Sequence, residues 1–228
     1  MLFGWLLLIA VFIIGLIVQT KFRNRFQKYL ATPLSSGLTG REVAERMLRD
    51  YGIYDVKIVE GRGFLTDHYN PVTKTVSLSP EVYHGRSVAS AAVAAHECGH
   101  AVQHAQGYFF LKVRSALVPV VQFSSMIVQW VILAGLLLLN VFPQLLLFGI
   151  ILFATTTLFA FITLPVEFDA SRRALAWVKQ RNIVSQTEYP MVSDALKWAA
   201  MTYVVAALSS LASLLYYLSI FLSATRDD

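Results

Sequence analysis

Three histidines and a carboxylate fall within the stretch Ala95-His96-Glu97-Cys98-Gly99-His100-Ala101-Val102-Gln103-His104. On a helix, residues four apart lie on one face a turn apart, so His96 and His100 can both reach a single ion, and Glu97 projects from the same turn. In an H-E-x-x-H arrangement the two imidazoles bind zinc. The glutamate takes a proton from water that the metal has acidified to a pKa of about 7. His104 continues the spacing but stands two turns, roughly 12 Å, from His96. It reads as a polar helix residue, and Cys98, offset by two positions, reads as a packing residue.

A catalytic zinc has three protein ligands and one open position, so a further donor must come from elsewhere in the fold. The chain has 228 residues, of which 56% are apolar and only 14% charged. That composition describes a membrane protein rather than an ordinary soluble domain. Four stretches are long and apolar enough to span a bilayer, Leu2 to Thr20, Leu117 to Asn140, Gln144 to Leu164 and Ala199 to Ser223, and none contains a charged residue. The second and third form a helical hairpin around Asn140-Val141-Phe142-Pro143. The first lacks the basic start and small-residue cleavage site of a secretory signal and is expected to remain as an anchor.

Of the 19 Lys and Arg, 13 lie between Lys21 and Arg114, five between Arg172 and Lys197, and Arg226 follows the last span. Lys21, Arg23, Arg25 and Lys28 directly follow the first span, and Lys112 and Arg114 directly precede the second, which places both polar segments in the cytoplasm. A single cysteine requires no oxidising compartment and agrees with that placement. Glu167 then returns to the cytoplasmic membrane edge on the same side as His96 and His100, at what read as the first turns of a helix, and is expected as the third ligand. A fifth span through residues 87–108 would put Arg172, Arg173, Lys179, Arg181 and Lys197 outside, against the same rule. The net charge of +5 is explained by membrane orientation and anionic lipid, not nucleic acid.

The expected fold class is a mainly α membrane protein, with four transmembrane helices and a small α+β zinc-peptidase domain at the membrane surface. Its divisions are a transmembrane anchor at 1–20, a cytoplasmic zinc-peptidase domain at 21–116, a hairpin at 117–164, a cytoplasmic helical segment at 165–198 and a last span at 199–223. Within 21–116, Thr39-Gly40-Arg41-Glu42 has the form of a capping box opening a short helix. Residues 55–60 alternate as a strand and residues 73–78 read as a second, edge strand to which an extended substrate could add. Ser87 is a plausible cap for a helix reaching about Gln106.

Taken together, Gly37-Leu38-Thr39-Gly40, Leu65-Thr66-Asp67-His68-Tyr69-Asn70-Pro71, Leu78-Ser79-Pro80-Glu81-Val82-Tyr83, the His96 helix and Glu167-Phe168-Asp169-Ala170-Ser171 resemble the YugP-like neutral zinc metallopeptidases of bacterial membranes over nearly the full length. The resemblance implies a membrane-anchored peptidase with one zinc ion, acting on a peptide or protein substrate. More distantly the plan is similar to gluzincin proteases of the HtpX type, in which a glutamate on a later helix completes the site and an aspartate four residues on supports a zinc-bound histidine. Here that position is Ser171, and Asp169 should face another way, which leaves Ser171 or Asp67 for the supporting role. His68, Tyr69, Tyr83 and Arg172 have the chemistry to stabilise an oxyanion.

Two other readings stay open on the sequence alone. A non-proteolytic zinc-containing scaffold or adaptor has no need of Glu97. A transporter needs polar residues inside the spans; Gln122, Gln129 and Thr155-Thr156-Thr157 are the few available, and the third span with its Thr and Ala reads more simply as close helix packing. Small residues at Ala206, Ala207, Ser209, Ser210, Ala212 and Ser213 allow close contacts within the chain, with a membrane partner or in a homo-oligomer, and do not choose among them.

Overall fold

A computed structural model describes residues 2–225; Arg226 lies outside them. The elements run α1 (Leu2–Leu30), α2 (Gly40–Asp50), β1 (Lys57–Glu60), β2 (His68–Asn70), β3 (Thr75–Leu78), α3 (Pro80–Tyr83), α4 (Val88–Ala105), α5 (Phe109–Leu137), α6 (Pro143–Gln180) and α7 (Tyr189–Ala224). Four of these helices, α1, α5, α6 and α7, are long and apolar enough to cross a membrane, so the chain is mainly α with a small α+β region. It divides into two compact units.

The first unit comprises Met1–Val18, Val113–Leu164 and Thr202–Asp228. Its helices meet through glycine and hydroxyl contacts. A Cβ on Gly135 would lie 2.6 Å from the backbone of Leu146, so the hairpin of α5 and α6 closes only because that methyl is missing. Thr155 Oγ1 donates to Ser124 Oγ at 3.2 Å, and Thr157 and Ser210 hydroxyls pair at 2.7 Å. These hydroxyls thus serve helix packing, and Ala207 and Ala212 are buried.

The second unit comprises Gln19–Lys112 and Pro165–Met201. The capping box forms as expected: Thr39 Oγ1 accepts from Glu42 N–H while the Glu42 carboxylate accepts from Thr39 N–H. α2 buries Val43, Ala44, Met47 and Leu48 on one face and leaves Arg41, Arg46 and Arg49 in water. Those side chains join Val76, Leu78, Val82, Val88, Val102, Trp177 and Val178 in one core, and α4 runs through it.

The sheet corrects one expectation. Its order is β1-β3-β2, with β1 parallel and β2 antiparallel to β3, so the strand at Thr75–Leu78 is central and not an edge. The outer strand beside α4 is β2, three residues whose His and Asn carry little strand propensity. A turn forces it into register: Asn70 Oδ1 accepts from the N–H groups of Val72 and Thr73, and Lys74 adopts φ +49° before the chain enters β3.

A second correction concerns Glu167 to Ala174, which do not begin a new helix. α6 continues unbroken through Pro165, which removes one helical N–H without ending the helix. α1 likewise runs past Thr20 through Lys21 and Lys28, because Lys, Arg and Gln are good helix formers and no breaker arrives before Pro33.

Where α4 meets α6, Gly99 is required. A Cβ there would lie 2.6 Å from Ala170 O and 3.1 Å from its Cα. The two helices therefore touch backbone to backbone.

The entry to α7 is fixed by Glu188. Its carboxylate accepts from Ser185 N–H at 2.7 Å and from both N–H and Oγ of Ser35, at 2.6 and 2.7 Å, while Ser185 Oγ accepts from Glu188 N–H. Burial pushes this carboxyl upward, but the hydrogen bonds it accepts from Ser185 and Ser35 outweigh it and hold the group below the usual glutamate range. A depressed folded pKa contributes stability that is complete above the unfolded value of about 4.3 and is lost as pH falls through the folded value. Glu188→Gln should therefore lower stability at neutral pH and flatten its dependence on pH below about 4. Urea titrations of the detergent-solubilised pair at several pH values measure both, and parallel pH profiles would show that Glu188 contributes nothing by its charge.

Candidate metal centre

Ser87 caps α4 as expected, its side chain accepting from Ser90 N–H, and the following run of alanines lets neighbouring elements approach closely. Burial covers nearly every position from Val88 to Gln103. His96 and His100 sit one turn apart with ring centroids 4.8 Å from each other and planes at 82°. Glu167, on α6, brings its Oε2 to 3.3 Å from His96 Nε2 and 3.6 Å from His100 Nε2. One donor atom from each of the three residues lies within 4.8 Å of the others, and Glu167 is only 2% exposed.

Glu97 sits beside this cluster without belonging to it, at 8% exposure. Burial pushes its carboxyl up to about 7; His96 opposes the shift, Glu167 and Asp67 add to it, and His68 opposes it. The same burial raises the Cys98 thiol above its ordinary range. Cys98 points away from the histidines, toward Ala44 O at 3.7 Å, and is a packing residue.

The outer nitrogens of both histidines have partners. Ser171 Oγ lies 3.1 Å from His96 Nδ1, one of the two supporting partners the family resemblance left open. His100 Nδ1 lies 3.0 Å from Gln103 Oε1. Gln103 Nε2 in turn donates to Val166 O at 2.8 Å and Asp169 Oδ2 at 2.9 Å. Asp169 also accepts from Arg172 and, at 2.5 Å, from Arg173, whose NH1 donates to Gln106 Oε1 at 2.5 Å. Asp169 does not point at a histidine, as its position two residues from Glu167 implied, yet Gln103 carries its influence to one. Sequence reasoning missed Gln103. The available signal was its place three residues after His100, on the same helical face.

The remaining candidates lie elsewhere. Asp67 accepts from the N–H and hydroxyl of Ser79 and fastens the loop before β2 to the start of α3. Tyr69 O–H pairs with His104 Nδ1 at 2.8 Å, and burial first, then Asp55, raises that phenol to about 12. His68 Nδ1 donates to Thr66 O at 2.8 Å. Tyr83 packs edge-on against His84 and under Arg41, and Arg172 is engaged by Asp169.

Comparison with known proteins adds to this geometry. A family model described as "Putative neutral zinc metallopeptidase" matches residues 4–222. A protein of Bacillus subtilis (strain 168) called "Putative membrane protease YugP" is 44% identical over 210 residues, covering 92% of each chain. No solved structure matches.

Proposed function

The chain belongs to the family of neutral zinc metallopeptidases, and on that premise we propose that it is a membrane-anchored zinc endopeptidase in which His96, His100 and Glu167 hold one zinc ion and Glu97 is the general base. The observation that carries the reading is the placement of Glu167 Oε2 at 3.3 and 3.6 Å from the two Nε2 atoms. Ligand atoms bound to one tetrahedral zinc at about 2.1 Å stand about 3.4 Å apart. Two imidazoles and one carboxylate are a donor set typical of catalytic zinc, and three donors leave a position open.

A zinc ion at these residues supplies Lewis acidity, lowering the pKa of water and polarising the scissile carbonyl. The chain's own residues do the rest. Glu97, on the same turn as His96, accepts the proton from the attacking water and returns it to the leaving amine. The outer edge of β2, beside α4, offers main-chain hydrogen bonds to an extended peptide, the role that the sequence alone suggested for the strand that proves central. Lys21, Arg23, Arg25 and Lys28 after the first span and Lys112 and Arg114 before the second orient the catalytic unit toward the cytoplasm.

Chelation tests the proposal. Stripping zinc from the detergent-purified chain should abolish hydrolysis of an unfolded protein such as casein, and added zinc, but not magnesium, should restore it, because nitrogen donors select zinc. Hydrolysis that survives complete zinc removal overturns it.

A further inference from the structure

We infer that Gln103, held by Asp169 and the Val166 carbonyl, is a positioning residue that fixes His100 in the tautomer with its proton on Nδ1 and its lone pair on Nε2. The inference rests on the zinc site proposed above and deepens it.

Val166 O and the carboxylate oxygen of Asp169 can only accept hydrogen bonds, and both lie within 2.9 Å of one end of the Gln103 amide. That end must be the NH2 group. Gln103 is completely buried, so water offers it no alternative arrangement. The other end, Oε1, can then only accept, and it faces His100 Nδ1 at 3.0 Å. Nδ1 therefore carries a proton. In the neutral ring Nε2 is left with its lone pair, and it is this atom that stands 3.6 Å from Glu167 Oε2. Two electron-rich atoms buried face to face are a place for a cation.

Asp169 makes the arrangement one-directional. Its oxygens are gripped by Arg172 and Arg173, which keeps it an acceptor. Arg173 also holds Gln106, the residue that caps the C-terminus of α4. Gln103 and Gln106 are thus tied to one acidic-basic cluster on α6, and the first of them reads out to a histidine. His96 has no such director. Its Nδ1 faces Ser171 Oγ at 3.1 Å, and a hydroxyl donates or accepts equally well. The two histidines, chemically alike in sequence, are held by different rules.

The test uses full-length chain in detergent with 15N-labelled histidine. In the zinc-free original, long-range 1H–15N spectra should show His100 protonated at Nδ1 only. Gln103→Leu removes the acceptor at nearly constant size; it should leave His100 as a tautomer mixture and weaken zinc, measured by competition with a chromophoric chelator, by about 10- to 100-fold. Gln103→Glu keeps an oxygen acceptor facing His100 Nδ1 while giving up the donation to Val166 O and Asp169, and should keep His100 protonated at Nδ1. Retention of that tautomer in the glutamate variant decides the matter if the leucine variant fails to fold. A single Nδ1–H tautomer persisting in Gln103→Leu overturns the inference, as does weakened zinc binding without tautomer change or a tautomer mixture in Gln103→Glu. Failure of the original chain to bind zinc counts against the proposed function, whereas the tautomer in the zinc-free protein reports on Gln103 independently.

Discussion

Glu167→Ala should leave detergent purification nearly free of zinc, whereas the original chain should carry about one ion per chain. The carboxylate is the sole donor in the cluster that does not come from α4. Removing it leaves two imidazole nitrogens on one helix, too few for a stable tetrahedral site. Loss of an outer partner of a metal ligand costs about 10- to 100-fold in affinity, and loss of a ligand itself should exceed that range. Elemental analysis of both proteins, followed by chelator competition, measures the effect. Zinc retained at full affinity by the variant would place the third ligand elsewhere and remove α6 from the site.

Glu97→Gln should have the opposite profile, with zinc kept and hydrolysis lost. The substitution preserves size and the capacity to accept a hydrogen bond, and the donor atoms that cluster belong to His96, His100 and Glu167. An amide does not take a proton from water at neutral pH, and removing a general base costs about 10²- to 10⁴-fold in rate. Zinc content and turnover of the same preparation read the two effects separately. Loss of zinc together with activity would assign Glu97 to the structure of the site. Retention of both would show that a group other than Glu97 takes the proton from water.

The parts of this molecule written in local pattern were legible in the sequence. Apolar runs announced the four long helices, Thr39 with Glu42 announced the start of α2, and Ser87 announced α4. Spacing brought His96 and His100 together, and charge asymmetry put Glu167 on their side. What stayed hidden depends on tertiary contact. β2 has weak strand residues and owes its existence to pairing with β3, so the identity of the edge strand could not be read. Glu167 read as lying in the first turns of a helix, yet it lies deep in α6, which runs from Pro143 to Gln180 with Pro165 inside it. Gln103 resembled any other helix glutamine until α6 supplied Val166 and Asp169. The engagement of Ser35 by Glu188, across the fold, leaves no mark in local pattern.

The missing methyl of Gly99 sets a gauge for the whole metal centre. One residue before His100, the backbone of α4 rests on Ala170, three residues after Glu167, at a separation that atomic radii alone determine. A side-chain contact could be adjusted by changing a rotamer; this one has no rotamer to change. The Glu167 carboxylate and the imidazoles of His96 and His100 are therefore held within 4.8 Å of one another by contact between main chains, and in the proposed zinc site the entropy of assembly would fall on folding rather than on capture of an ion.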